Sequence, residues 1–191
     1  MPTPIGISWI PAFHARQAPA PAVHSASISA TKRDALNKLL GANPAESRVD
    51  RSFARGGIAP SRWTDGSFGA FYVAESPTTT QLEMMHHLRN AYIARGFATA
   101  VLTLQVVHVD VRGIFDDVRA EMAADPLLQS DDYAASQAFA KELHAKKSRG
   151  LVYESVRDLG HLCAAVFDRA ALTNPRLGES VSYQWNGTEF V

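Results

Sequence analysis

The chain has 191 residues, 46% of them hydrophobic and 20% charged, a balance that fits one globular domain and excludes collagen-like and wholly disordered classes. Nineteen Lys and Arg offset nineteen Asp and Glu, so there is no basic surplus for gripping nucleic acid or an anionic membrane. A single cysteine, Cys163, rules out an internal disulfide framework and a Cys-rich zinc site. No apolar run reaches the roughly 18–20 residues of a membrane span, and no secretory leader is evident. The expectation is a soluble, cytoplasmic domain.

Residues 1–47 read as a Pro-rich segment carrying one short helix, and 48–191 as the folded body. Pro2, Pro4, Pro11, Pro19 and Pro21 fix φ and remove backbone donors, which argues against a regular helix or central strand there. Leu36, Leu39 and Leu40 share one face of a short helix over about Ala30–Leu40, closed by Gly41. Arg48–Ser67 is polar, glycine-containing and arginine-rich, a long loop. Gly69–Ala74 is aromatic and β-branched, a strand. Ser76 followed by Pro77 opens a helix that runs to about Ala94, with Gly96 ending it. Thr99–Val111 is a β-branched strand, and Asp131–Ala145 is an Asp-capped amphipathic helix with Phe139 and Leu143 on one face. Gly150–Ser155 and Leu162–Phe167 read as strands. Asn186-Gly187 marks a hairpin within Tyr183–Phe190. The fold class is mixed α/β, without internal repeats.

Thr79, Glu83 and His87 recur at every fourth residue and therefore stack along one helix face. Periodicity alone leaves that stripe open as either a solvated face or the wall of a cleft. Tyr153-Glu154-Ser155-Val156-Arg157 forms a second polar cluster at a strand end. No G-x-G-x-x-G follows a strand and no P-loop is present. Ser155 lacks the G-x-S-x-G elbow of serine hydrolases. Glu83, His86 and His87 are in the order E-x-x-H-H, which matches neither zinc helix motif, so no metal is expected. His161 beside Cys163 reads as a strand-flanking residue next to a buried thiol.

Ser61-Arg62-Trp63-Thr64-Asp65-Gly66-Ser67-Phe68-Gly69-Ala70-Phe71-Tyr72-Val73-Ala74, with Thr79, Glu83 and His87 after it, resembles the RES domain, a family named for an arginine, a glutamate and a serine. Asp132-Tyr133-Ala134-Ala135-Ser136-Gln137 is similar to the helix before the family's C-terminal motif. Gly150–Arg157 and Cys163–Phe167 resemble that motif itself. The resemblance implies a split mixed sheet like that of bacterial ADP-ribosyltransferase toxins. It implies a toxin that cleaves NAD⁺, its substrate, at the nicotinamide–ribose bond, as a glycohydrolase, phosphorylase or ADP-ribosyltransferase. A modifier of one target protein and a silent binding module with the same cleft are the alternatives. The implied partner is an Xre-like helix-turn-helix antitoxin.

Carried over by motif, Arg62, Glu83 and Ser155 are the name-giving catalytic set, and Tyr72, Thr79 and His87 line the NAD site. Glu154 stands where relatives commonly have proline, and Gly160-His161-Leu162 replaces a glycine pair and a small residue. Arg48 and Arg51 are the substitutes for a usual N-terminal arginine. The chemistry suits these residue types. The nicotinamide leaving group is already cationic, so the demand is for a carboxylate, Glu83, beside the developing oxocarbenium charge. Arg62 offers a planar fork for the pyrophosphate, Tyr72 a ring face, and Ser155 a hydrogen bond to ribose or to Glu83. Each residue also has a plainer reading. Arg62 could pair with Asp65, Glu83 with His87, Tyr72 and Ser155 could serve the core and strand end, and Arg157 reads as structural.

Overall fold

A computed structural model describes residues 5–12 and 60–191. The short helix expected at Ala30–Leu40, most of the Arg48–Ser67 loop, and Arg48 and Arg51 lie outside the described residues. Seven strands form one mixed sheet: β1 (Ile5–Ala12), β2 (Phe71–Ala74), β3 (Ala100–Val111), β4 (Asp116–Asp117), β5 (Gly150–Glu154), β6 (Leu162–Val166) and β7 (Leu172–Trp185), in the order β4-β5-β6-β2-β1-β3-β7. Among the described residues only the β4–β5 pairing is parallel. The halves β4-β5-β6-β2 and β1-β3-β7 meet through β1 and β2, registered at Ile7 opposite Ala74. Helices α1 (Pro77–Ala94), α2 (Arg119–Ala124) and α3 (Ala134–Ala145) and 3₁₀ turns at Pro126–Gln129 and Arg169–Ala171 complete the described elements. Among the described residues no helix is long and apolar enough to cross a membrane.

The sheet corrects one expectation. Ile5–Ala12 is a strand inside the sheet, paired with β3 from Ile5–Asp110 to Ala12–Thr103, despite the surrounding prolines. Pro11 is tolerated because it lies beyond the β1–β2 registration at Ile7, where β3 is the neighbour. β7 is also far longer than the hairpin arm read from Tyr183. Asn174, Pro175 and Gly178 punctuate its sequence, yet it follows β3 from Val111–Leu172 to Ala100–Trp185. The Asn186-Gly187 turn is present, with Gly187 at φ 102° and Trp185 bridged to Phe190.

β3 carries two cores. Leu102, Leu104 and Val106 pack with Met84, Met85 and Leu88 of α1. Val107, Val109 and Val111 pack with Phe71, Val73 and Val166. A register irregularity between Gln105 and Val107 moves the buried set across, since one residue of slip exchanges the faces of a strand. A third core joins Trp63, Tyr153, Cys163, Ala165 and Leu151 to Phe139 and Leu143 of α3. Trp63 is fully buried, edge-on to Tyr153 with centroids 5.3 Å apart. This third core brings residues of three separate chain segments to one place.

Candidate active site

The turn before β2 is pinned from several sides. Ser61 N–H donates to Thr64 O at 2.8 Å, placing Arg62 and Trp63 at the tip of a tight loop. Tyr72 Oη accepts Trp63 N–H at 2.9 Å and shares a hydrogen bond with Ser61 Oγ at 2.7 Å. Burial pushes the Tyr72 hydroxyl up to about 12, so it stays a neutral clamp. From α3, Gln137 Nε2 donates to Ser61 O at 2.9 Å and Lys141 Nζ to Asp65 Oδ2 at 2.8 Å. The Lys141 bond, with Ser67 donating as well, holds the Asp65 carboxyl well below the usual carboxylate range. Asp65 is therefore the partner of Lys141 in this loop.

Arg62 turns inward and is 5% exposed. Its Nη1 donates to Leu128 O at 3.1 Å and Ser130 O at 2.9 Å, and its guanidinium lies 4.9 Å from the centroid of the Tyr133 ring. Nη2 faces Asp131 Oδ1 at 3.8 Å. Two carbonyls and a ring face thus fix the fork while leaving donors uncommitted.

Helix α1 opens as the Ser-Pro pair predicts: Ser76 Oγ accepts Thr79 N–H at 3.0 Å. Thr79 is fully buried, and its Oγ1 donates to Asp158 Oδ2 at 2.7 Å. It ties α1 to the turn after β5 rather than presenting surface. One turn further, Glu83 Oε1 accepts the Ser155 hydroxyl at 2.7 Å across 72 positions of sequence. Ser155 is fully buried, and its Oγ accepts the N–H groups of Arg157 at 3.1 Å and Asp158 at 3.0 Å. With its proton on Glu83 and its oxygen already accepting twice, the hydroxyl is committed to orienting the carboxylate. Of the two roles open to Ser155, orienting Glu83 is the one this geometry favours.

His87 sits beside Tyr133, its Nδ1 3.3 Å from the Tyr133 hydroxyl. Although the residue has an exposed edge, loss of hydration lowers its pKa, with Glu83 opposing and His86, Arg62 and Arg157 reinforcing the shift. The Tyr133 hydroxyl is raised by burial while sensing Arg62, Asp131, Arg157 and Glu83. Arg62 lies over the Tyr133 ring, and His87, one helical turn after Glu83 on α1, reaches the Tyr133 hydroxyl, so the Arg62 turn and the Glu83 face of α1 both border this ring.

Tyr133, Asp131 and Asp158 carry much of this geometry, and the sequence reading gives none of them a site role. Tyr133 and Asp131 precede α3, where Asp132 Oδ1 accepts Ala134 N–H at 3.1 Å and Tyr133 occupies the N-cap position. This corrects the expected Asp-capped start at Asp131: the helix begins at Ala134 with no side-chain capping bond from its N-cap, and Asp132 only forms an Asx turn leading into it. His161 Nδ1 bonds Glu75 Oε1 at 2.7 Å, away from Cys163. Burial pushes the Cys163 thiol up to about 12, and Glu83 adds to that shift.

The arrangement joins an oriented carboxylate and an anchored guanidinium drawn from three motif segments. A family model described as the RES domain matches residues 36–186. The chain belongs to the RES domain family. No curated protein matches it. Among solved structures, a chain of the M. tuberculosis MbcT–MbcA toxin–antitoxin complex shares the fold, with a TM-score of 0.50 and 18% identity over 69% of this chain and 75% of that one. Within this RES domain, Arg62 and Ser155 are buried, and Glu83, between them in sequence, joins α1 to the turn after β5.

Proposed function

We propose that the RES domain cleaves NAD⁺ at the nicotinamide–ribose bond and acts as the toxin of a toxin–antitoxin pair. The observation that carries this reading is the Ser155–Glu83 hydrogen bond, which fixes a carboxylate on the helix whose next turn, at His87, meets the Tyr133 ring that Arg62 also contacts. Glu83 stabilises the positive charge that develops on the ribose as nicotinamide departs. Nicotinamide leaves as a neutral base from a cationic linkage, so no general acid is required. Arg62 holds a phosphate oxygen through the donors its carbonyl partners leave uncommitted. Ser155 positions Glu83, Tyr72 fastens the Arg62 turn, and Thr79 fixes α1 against Asp158. His87 and Tyr133 border the region between the two charges.

The toxin assignment rests on family membership and on the fold shared with a chain from a toxin–antitoxin complex. The partner is an antitoxin of the Xre-like helix-turn-helix kind that covers this site. Incubation of the purified chain with NAD⁺, with and without inorganic phosphate, tests the chemistry. Free nicotinamide should appear, and the co-product identifies water, phosphate or protein as acceptor. Absence of nicotinamide under both conditions would refute the reading. Growth arrest on expression, relieved by the product of the neighbouring gene, tests the partner; harmless expression would count against it.

A further inference from the structure

Asp131 has 58% of its side chain open to solvent, yet one of its oxygens is the meeting point of three basic side chains. Oδ1 bonds Arg157 Nη2, lies 3.6 Å from His86 Nε2 and 3.8 Å from Arg62 Nη2. The three come from separate elements: the turn after β5, helix α1, and the tight loop before β2. Arg157 Nη2 also donates to His86 Nε2 at 2.8 Å.

Neither guanidinium is satisfied by this arrangement. Arg157 Nε is buried without a hydrogen-bond partner. Arg62 spends Nη1 on two carbonyls, and its Nη2 is too far from Asp131 for a hydrogen bond. Asp131 is the carboxylate that both arginines approach, and it leaves several of their donors over. A diphosphate brings two negative charges and pairs of oxygens to which the planar fork of an arginine can donate bidentately.

We infer that Arg157 and Arg62 form a two-guanidinium seat for the diphosphate of the dinucleotide, and that Asp131 fills this seat as an internal competitor until the ligand arrives. The dinucleotide part rests on the NAD⁺ reading; the anion seat does not. Arg157 is on this account a binding residue, and Asp131 a carboxylate that the substrate displaces.

The test uses ADP, which carries the diphosphate but no nicotinamide bond. Calorimetry on the full chain, with melting curves beside it, compares wild type with Asp131→Asn and Arg157→Gln. Removing the Asp131 charge should lower the Kd for ADP about 3- to 10-fold, the range set by one partly exposed charge-assisted contact. Arg157→Gln should raise it by at least about 10-fold. An Asp131→Asn protein that binds ADP no tighter, or more weakly, would overturn the inference, because Asp131 would then merely orient the arginines. So would wild-type affinity in a folded Arg157→Gln. If Arg157→Gln does not fold, exposed Asp131 decides alone. Wild type that releases nicotinamide but ignores ADP sinks the seat and spares the cleavage reading. Tighter ADP binding by Asp131→Asn in a protein that releases no nicotinamide does the reverse.

Discussion

Replacing Ser155 by alanine deletes a hydroxyl that donates once and accepts twice. The bond to Glu83 Oε1, 2.7 Å long and made by a fully buried serine, is the strongest of the three. A hydrogen bond to a charged group is worth about 1.5–3 kcal/mol, and each turn N–H about 0.5 kcal/mol where water can partly replace the acceptor. Glu83 is only half-buried, so water recovers part of its loss. The expected destabilisation is about 2–3 kcal/mol, or roughly 5–10 °C in Tm for a domain of this size. The freed carboxylate also loses its aim. A displacement of about 1 Å at a reacting group costs on the order of 100-fold, so kcat for nicotinamide release should fall by about that factor with KM little changed. Glu83→Gln separates the two effects. Its amide oxygen can still accept the Ser155 proton, so the stability should stay within about 1 kcal/mol of wild type while turnover collapses. A Ser155→Ala protein with wild-type Tm and wild-type kcat would refute this account of the hydroxyl.

Gly150→Ala should destabilise strongly: Gly150 has φ +147°, and a Cβ there would lie 2.3 Å from the Ala165 carbonyl oxygen across β5–β6. A loss of about 2 kcal/mol or more in denaturant titration is expected, and wild-type stability would contradict the backbone geometry. The Cys163 thiol, pushed up to about 12 by burial, should resist a thiol reagent at pH 8 in the native protein and react on unfolding; rapid native labelling would contradict it. Asp65 contributes stability above the ordinary carboxylate pKa near 4, lost as pH falls, because its folded pKa is depressed. Asp65→Asn should therefore flatten the acid limb of a stability–pH curve below about pH 5, and an unchanged slope would contradict the Lys141 pairing.

The sequence was most legible where local chemistry and tertiary packing agree. Ser76-Pro77 supplies both cap and first-turn residue, and α1 spans Pro77–Ala94 as that pair and Gly96 predict. The β-branched run became β3, and the two downstream strands match within a residue. Local reasoning failed where pairing overrides propensity. β1 forms among prolines because β3 offers it a partner along its length. β7 runs through Asn174, Pro175 and Gly178 for the same reason. β4 is two residues long, too short for any pattern. At the site, the motif residues Arg62, Glu83 and Ser155 were legible by family resemblance. Their supports were not: the carbonyls of Leu128 and Ser130, the Tyr133 ring and the Asp131 carboxylate come from 66–71 residues downstream of Arg62 and leave no periodic trace.

Steady-state nicotinamide release by wild type, Glu83→Gln and Arg62→Lys bears most directly on the claim that one carboxylate and one guanidinium act on the same dinucleotide. The account predicts turnover in wild type and loss of kcat with retained KM in Glu83→Gln. For Arg62→Lys it predicts a KM raised about tenfold or more, because a lysine cannot supply the fork. Full turnover by Glu83→Gln, or an unchanged KM in a folded Arg62→Lys, would contradict it.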